Sequence, residues 1–327
     1  MAKAKKTKFP TKPPDFSAGD YAQLIDELYY HNRKYYLEDE PEISDAEYDD
    51  KMRLLKAVEA LHPDWLRSDS PSLKVGGEVR DDFAEVKHDP PMMSLDNAMN
   101  IEELRVFHDR LAKAGLKDPV YHVEPKFDGL AIDLVYENGK LVVGSTRGDG
   151  EIGEDITHNV RTVANIPLRL MLDSPPKQLT IRGEVIIKLS DFQKLNDRQA
   201  KEGKKLFANP RNTAAGALRQ QDSAQAKDKM LSFFPYTLAK IDDAKKRFVK
   251  DMRKQDAIWQ SVFPALGFQT SAYHLTTGIE GVEKYYEEMT ANRANVEYDL
   301  DGLVIKLNDT PEWENFGATT KAPRWAI

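Results

Sequence analysis

The sequence predicts an α+β fold, with an N-terminal helical hairpin followed by a larger domain built mainly on antiparallel sheet. Three observations carry this. Apolar residues in residues 18–62 recur at helical spacing. From residue 120 the pattern turns to short runs of strand formers joined by tight turns, with Asn138-Gly139 the strongest hairpin signal. Strands and helices do not alternate as regular βαβ units would require.

A chain of 327 residues allows two domains, and 40% hydrophobic content is enough to bury a core. No apolar run is long enough to span a membrane, and the lysine-rich start runs into Phe9-Pro10-Thr11-Lys12-Pro13-Pro14 rather than into a secretory signal. Cysteine is absent, which excludes disulfides and Cys-ligated zinc or iron–sulfur sites. That fits a reducing, cytoplasmic setting. A net charge of −7 argues against a strongly basic nucleic-acid surface, although a local basic face remains open.

Taken in order, residues 1–16 read as a disordered basic tail. A helix over residues 18–38 carries Leu24, Ile25, Leu28 and Tyr35 at helical spacing, and Pro41 ends it. Ser44 opens a second helix with a capping box, because Glu47 follows three residues later. Tyr48, Met52, Leu55 and Val58 form its apolar stripe, and His62-Pro63 stops it. Asp45 and Asp49 share one face with Tyr48 beside them. They either complement the helix dipole or, with Tyr35 and Tyr36, form an acidic-aromatic pocket for a cationic ring. Residues 68–100 read as a linker, with Gly76-Gly77 and Pro90-Pro91 marking loops. Residues 101–116 form an amphipathic helix. Strands are expected from residues 120–123 onward and over residues 130–137, 140–146, 179–188, 231–238 and 303–307, and helices over 152–163, 192–203 and 282–289.

Chemistry concentrates at Glu124-Pro125-Lys126-Phe127-Asp128-Gly129. Asp128-Gly129 is a turn signal, so Lys126 lies where two strands meet at a tight bend. A lysine attacks only when neutral, and its unperturbed pKa is about 10.4. Burial and nearby positive charge are what lower it. Arg147, Glu184, Asp301 and Lys306 are ionisable residues on or beside other predicted strands, where they are costly unless they face a polar cleft. Cations and carboxylates converging on one cleft suit phosphoryl chemistry, with a carboxylate to hold Mg²⁺. A rival signal is Gly148-Asp149-Gly150-Glu151-Ile152-Gly153, which matches the dinucleotide fingerprint G-x-G-x-x-G. Asp149, Glu151, Glu154 and Asp155 would repel a pyrophosphate there, and the preceding hairpin does not start a parallel sheet.

Lys126-Phe127-Asp128-Gly129 matches the K-x-D-G adenylation motif of covalent nucleotidyltransferases. With Thr146-Arg147-Gly148-Asp149-Gly150, Arg182-Gly183-Glu184-Val185, Asn209-Pro210-Arg211-Asn212, Asp301-Gly302-Leu303-Val304-Ile305-Lys306 and Ala322-Pro323-Arg324-Trp325-Ala326-Ile327, the chain resembles the N-terminal part of bacterial NAD⁺-dependent DNA ligases. Tyr35-Tyr36 with Asp45-Ala46-Glu47-Tyr48-Asp49 resembles the helical element that distinguishes this branch from ATP-dependent ligases.

The resemblance implies residues 17–69 as a helical unit binding nicotinamide mononucleotide (NMN). It implies residues 70–327 as an ATP-grasp-like nucleotidyltransferase domain that stops before the oligonucleotide-binding barrel. It further implies that Lys126 attacks the α-phosphate of NAD⁺, releases NMN and keeps AMP. Glu124 would bond the adenine amino group, and Tyr236 would lie against the ring. Ser94 and Leu95 would contact the nucleotide, and Arg147 and Glu184 the ribose region. Lys306 would meet the α-phosphate, while Asp128 and Asp301 belong to the same site. Tyr35, Tyr36, Asp45, Ala46, Glu47, Tyr48 and Asp49 would grip NMN. Arg211 and Arg219 would meet nicked duplex DNA. Mg²⁺ is expected near Glu184 and Asp301, and no zinc site is expected. Family members often carry histidine at position 36, where Tyr36 stands here. The resemblance implies a cytoplasmic monomer, a piece of a longer enzyme that self-adenylates at most and does not seal nicks alone. An ATP-dependent ligase or capping enzyme, a non-catalytic binding module and a dehydrogenase stand as alternatives.

Overall fold

The computed structural model describes residue 10 and residues 13–36, 42–75, 83–242, 251–320 and 322–327. Most of the predicted basic tail and part of the connection between the first two helices lie outside these residues. Helices α1 (Ala18–Tyr36) and α2 (Asp45–Leu61) form the expected hairpin. The capping box is formed: Ser44 Oγ accepts from the Glu47 N–H at 3.3 Å, and the Glu47 carboxylate accepts from the Ser44 N–H at 2.9 Å. His62 caps the C-terminus and Pro63 follows, as the sequence requires. Leu24, Ile25, Leu28, Leu55 and Val58 are fully buried between the two helices and the rest of the molecule.

Residues 68–100 were expected to be a linker, but both described parts are held: Asp69 and Ser70 are fully buried, with the Tyr29 hydroxyl donating to the Asp69 carbonyl at 2.7 Å, and from residue 83 the chain packs on the body of the protein. β1 (Glu85–Lys87) pairs with β5 (Ile152–Glu154), and the Met92 N–H donates to the Gly150 carbonyl at 2.7 Å. α3 (Ile101–Lys113) follows, with Leu104, Phe107 and Leu111 buried. β2 (Val120–Phe127), β3 (Leu130–Glu137) and β4 (Lys140–Thr146) come next, then the single turn α4 (Thr157–Val160). Thus the helix expected over residues 152–163 is instead a strand and a turn. Gly153 comes so close to the Thr146 carbonyl that a Cβ there would lie 1.8 Å from its oxygen, and β1 pairs along it. No helix opens on the glycine-rich turn, which removes the structural context of a dinucleotide fingerprint.

β6 (Gln178–Ile187), α5 (Leu189–Lys201), α6 (Pro210–Leu218), α7 (Ser223–Lys227) and β7 (Leu231–Asp242) complete the middle of the chain. α8 (Gln255–Ala257) and α9 (Phe263–Leu266) run together through one π-helical turn. β8 (His274–Thr277), α10 (Gly278–Asn292) and β9 (Leu300–Leu307) follow. Among the described residues one antiparallel sheet has the order β4-β3-β6-β7 and a second the order β8-β2-β9. No described helix is long and apolar enough to cross a membrane.

Strand periodicity sorts each sheet into two faces. On the larger sheet Ile132, Leu134, Leu179, Ile181 and Val185 turn into a core continuous with that of the helical hairpin. The opposite face carries Asp133, Arg182 and Glu184, in register as Asp133↔Arg182 and Ala131↔Glu184. On the smaller sheet Tyr121, Val123, Ile305 and Leu307 pack against α3 and α10. Its other face carries His122, Glu124 and Lys126, opposite Lys306, Val304 and Gly302. The chain crosses from one sheet to the other at Asp128-Gly129, so the two polar faces meet around Lys126. Gly129 permits this crossing: a Cβ there would lie 2.4 Å from the Val185 carbonyl oxygen and 2.8 Å from Glu184 Cγ. Gly129→Ala is therefore expected to cost about 1–3 kcal/mol. Calorimetric unfolding should show a Tm lower by several degrees; an unchanged Tm would mean the crossing has slack.

Candidate active site

The site has two ends on one strand pair. At the buried end, Lys306 Nζ lies 2.6 Å from Glu124 Oε1 and donates to the Tyr236 carbonyl at 2.7 Å. Both side chains are about 4% exposed. Such a pair is held together by its own charges, and removing one partner typically costs about 3–5 kcal/mol. Lys306 Nζ also lies 5.7 Å from the centre of the Tyr236 ring and 5.9 Å from that of Trp259. His122 stacks on Tyr273 at 4.5 Å, and its Nδ1 is 3.3 Å from Glu124 Oε2. That carboxylate oxygen and both His122 nitrogens are buried with no hydrogen-bond partner among the described residues. Burial pushes the Tyr236 hydroxyl well above its ordinary pKa.

At the open end, Lys126 Nζ donates to Asp301 at 3.2 Å. Its side chain is 38% exposed. Phe127 stacks on Phe234 at 5.0 Å and meets the Tyr298 ring edge-on at 5.6 Å. These rings fix the backbone from which Lys126 projects. Lys306 and Lys126 stand four residues apart along the paired strands, about 13 Å at the rise of a strand. In this arrangement Lys306 Nζ is paired with Glu124 and Lys126 Nζ with Asp301.

The larger sheet supplies the opposite wall. Arg147 Nη2 donates to Ser94 Oγ at 2.7 Å, while its Nε is buried without a partner among the described residues. Leu95 follows, partly buried. Glu184 has its carboxyl raised to about 8. Burial is the main cause and Asp128 adds to it, while Arg211, Lys126 and Arg147 oppose it. Arg211, in the first turn of α6, donates to Asp128 at 2.8 Å. Arg219, which caps α6, donates to Glu154 at 2.6 Å. Both arginines are about half exposed and spoken for by carboxylates.

The helical hairpin contributes less that can be placed. Tyr35 and Tyr36 fall in the last turn of α1, and Asp45 and Ala46 in the first turn of α2; their side chains lie outside the described residues. The Glu47 carboxylate is engaged in the capping box, Tyr48 packs against the core, and Asp49 is exposed.

Residues 80–327 match the family described as the NAD-dependent DNA ligase adenylation domain, and residues 17–76 match the DNA ligase-like N-terminal NAD⁺-binding domain. The chain belongs to the NAD-dependent DNA ligase family. It is 42% identical over 97% of its length to the DNA ligase of Neisseria meningitidis serogroup C, and 43% identical over 96% to that of Trichlorobacter lovleyi. The Listeria monocytogenes DNA ligase is 42% identical over 94% of the chain. The chain spans 39%, 46% and 44% of these relatives, respectively.

Within this ligase domain, several buried polar residues around the site were not singled out from sequence. Asp133 is 1% exposed inside an otherwise apolar strand, and that isolated carboxylate was the available signal. His88 and His122 are buried as well, and no local pattern marks them; Arg182, also buried, stands in a quoted motif but was given no role.

The raised carboxyl of Glu184 has a sign. Folded protein binds more protons than unfolded between the ordinary 4.5 and about 8, so stability is lost as pH rises through that window. Glu184→Gln should therefore raise Tm by a few degrees at about pH 9 and by little at about pH 4. Thermal unfolding at both pH values checks this, and an equal effect at the two would refute the burial argument.

Proposed function

We propose that this chain performs the first chemical step of an NAD⁺-dependent DNA ligase: it takes AMP from NAD⁺ onto Lys126 and releases NMN. One observation carries the reading. A half-exposed lysine on a fixed turn shares a cleft face with a deeply buried carboxylate–lysine pair, so one end of a nucleotide can be read while the other reacts.

The free carboxylate oxygen of Glu124 suits an exocyclic amino donor such as that of adenine. Tyr236 and Lys306 border the same space, and we assign Lys306 to the base end on that ground. Arg147, Ser94, Leu95 and Glu184 would bound the ribose. Lys126 would pass its proton to Asp301, 3.2 Å away, before its nitrogen attacks the α-phosphorus. The phosphorus–oxygen bond to the NMN phosphate breaks as the nitrogen–phosphorus bond forms.

Mg²⁺ binds through one or two carboxylates with phosphates and waters. Glu184 and Asp301 fit that role, and the described residues hold no group of three acidic or histidine side chains that would cage an ion alone. When bound, the ion would neutralise phosphate charge. Tyr35, Tyr36, Asp45, Ala46, Glu47, Tyr48 and Asp49 would receive the NMN half, making residues 17–69 one functional unit and residues 70–327 the other. Asp128 holds Arg211, and Glu154 holds Arg219, until a nick's phosphates compete for these arginines. In the complete ligase the adenylyl group would then pass to the 5′-phosphate of nicked duplex DNA in replication and repair. A cytoplasmic monomer is consistent with this reading.

Intact-protein mass spectrometry after incubation with Mg²⁺ and either NAD⁺ or ATP tests it. The expected result is one added adenylyl group from NAD⁺, none from ATP, and none in Lys126→Ala. Adenylation of Lys126→Ala, or equal reaction with ATP, would overturn the proposal.

A further inference from the structure

Asp133 sits at the centre of a buried cluster behind the cleft wall, and the step proposed above makes no use of it. Its Oδ2 lies 3.0 Å from His88 Nδ1, and its Oδ1 accepts from Arg182 Nε at 3.4 Å. Arg182 reaches on to the carbonyls of Pro90 and Pro91. The other His88 nitrogen, Nε2, is 3.1 Å from the Arg147 carbonyl oxygen. One carboxylate therefore ties two segments to the sheet: the strap leading to Ser94, and the turn bearing Arg147. Those two segments meet through the Arg147–Ser94 hydrogen bond at 2.7 Å.

The ring geometry fixes a proton count. Both His88 nitrogens face oxygens that accept, yet a neutral imidazole has a single N–H. Both contacts are satisfied only when the His88–Asp133 pair holds one proton more than a neutral ring plus a carboxylate. Either the ring is an imidazolium, or the carboxyl is protonated and donates to Nδ1. In both cases Nε2–H donates to the Arg147 carbonyl. Burial raises the Asp133 carboxyl, with Arg182 and His88 opposing it. Other charges around the ring are the Arg147 side chain, Asp149 on the following turn, and Lys87 and Asp89 on either side of His88. Asp89 is itself paired with Lys240. β5 presents only Gly153, whose Cβ would come within 3.0 Å of Nε2.

We propose that His88 and Asp133 form a proton-holding positioning pair, which sets Arg147 and the Ser94 strap for the nucleotide and releases them when the pair loses its proton. This rests on the reading that the cleft binds NAD⁺. The hold is complete at low pH and is lost as pH rises.

Isothermal titration calorimetry with NAD⁺, from about pH 6 to about pH 9, tests this on the wild type, Asp133→Asn and His88→Gln. Wild-type affinity should fall by about five- to tenfold as pH rises, the worth of a lost hydrogen bond. Asp133→Asn should flatten that dependence, because the amide donates to a neutral Nδ1 while Nε2–H keeps the Arg147 carbonyl. His88→Gln should bind more weakly than wild type at low pH and show no dependence. A purely structural role would lower Tm in both variants and leave the pH profile alike. A flat wild-type profile, or Asp133→Asn following the wild-type curve, overturns the proposal. If the wild type takes up no NAD⁺ at any pH, the parent reading falls instead. The nitrogen-15 shifts of the His88 ring then decide, since an unprotonated Nε2 at about pH 6 contradicts the shared proton.

Discussion

The buried ion pair between Lys306 and Glu124 is the constraint on which the cleft depends. It fixes the register of β2 against β9, because slipping one strand by a residue would drive its charge into the apolar face that packs on α3 and α10 and leave the other charge buried without its partner. With that register set, Lys126 stands on the cleft face opposite Gly302, beside Asp301. The charged pair is expensive to bury and expensive to break, which makes it a specifier of arrangement more than a source of stability.

The second constraint is steric. The crossing at Asp128-Gly129 brings β2 into line with β6 so closely that a side chain at position 129 would strike the backbone. Glu184 is buried by that crowding, and burial is what raises its carboxyl; Asp128 adds to the rise, while Arg211, Lys126 and Arg147 oppose it. Charge is distributed along the cleft in a usable order. An ion pair whose carboxylate keeps one unsatisfied oxygen sits deep, an arginine nitrogen without a partner among the described residues lies on the opposite wall, and an exposed lysine stands at the mouth.

Local signals were legible in the sequence, and partnerships between distant segments were not. The capping box at Ser44, the stop at His62-Pro63, the Asn138-Gly139 hairpin and the turn at Asp128-Gly129 each depend on neighbours within a few residues. The ligase motifs placed Lys126, Glu124, Glu184 and Asp301 together because each is a short linear string. The segment from residue 152 was misread as helix because its apolar spacing fits a helix, whereas pairing with a strand some 65 residues earlier decides its conformation. Asp133 and His88 are 45 residues apart, and Asp133 and Arg182 are 49 apart, so the cluster exists only once the sheet is assembled. Lys306 was expected near the α-phosphate from its place in a motif; its pairing with Glu124 depends on strand register, which no short string reveals.

The central claim is that one strand pair holds the base at Glu124 and Lys306 and the reacting phosphate at Lys126. A crystal structure of this chain with NAD⁺ tests it directly. The account predicts the adenine amino group within hydrogen-bonding distance of the Glu124 carboxylate, with the α-phosphorus at Lys126 or already bonded to its nitrogen. Nicotinamide at Glu124, or a nucleotide bound away from Lys126, would contradict it.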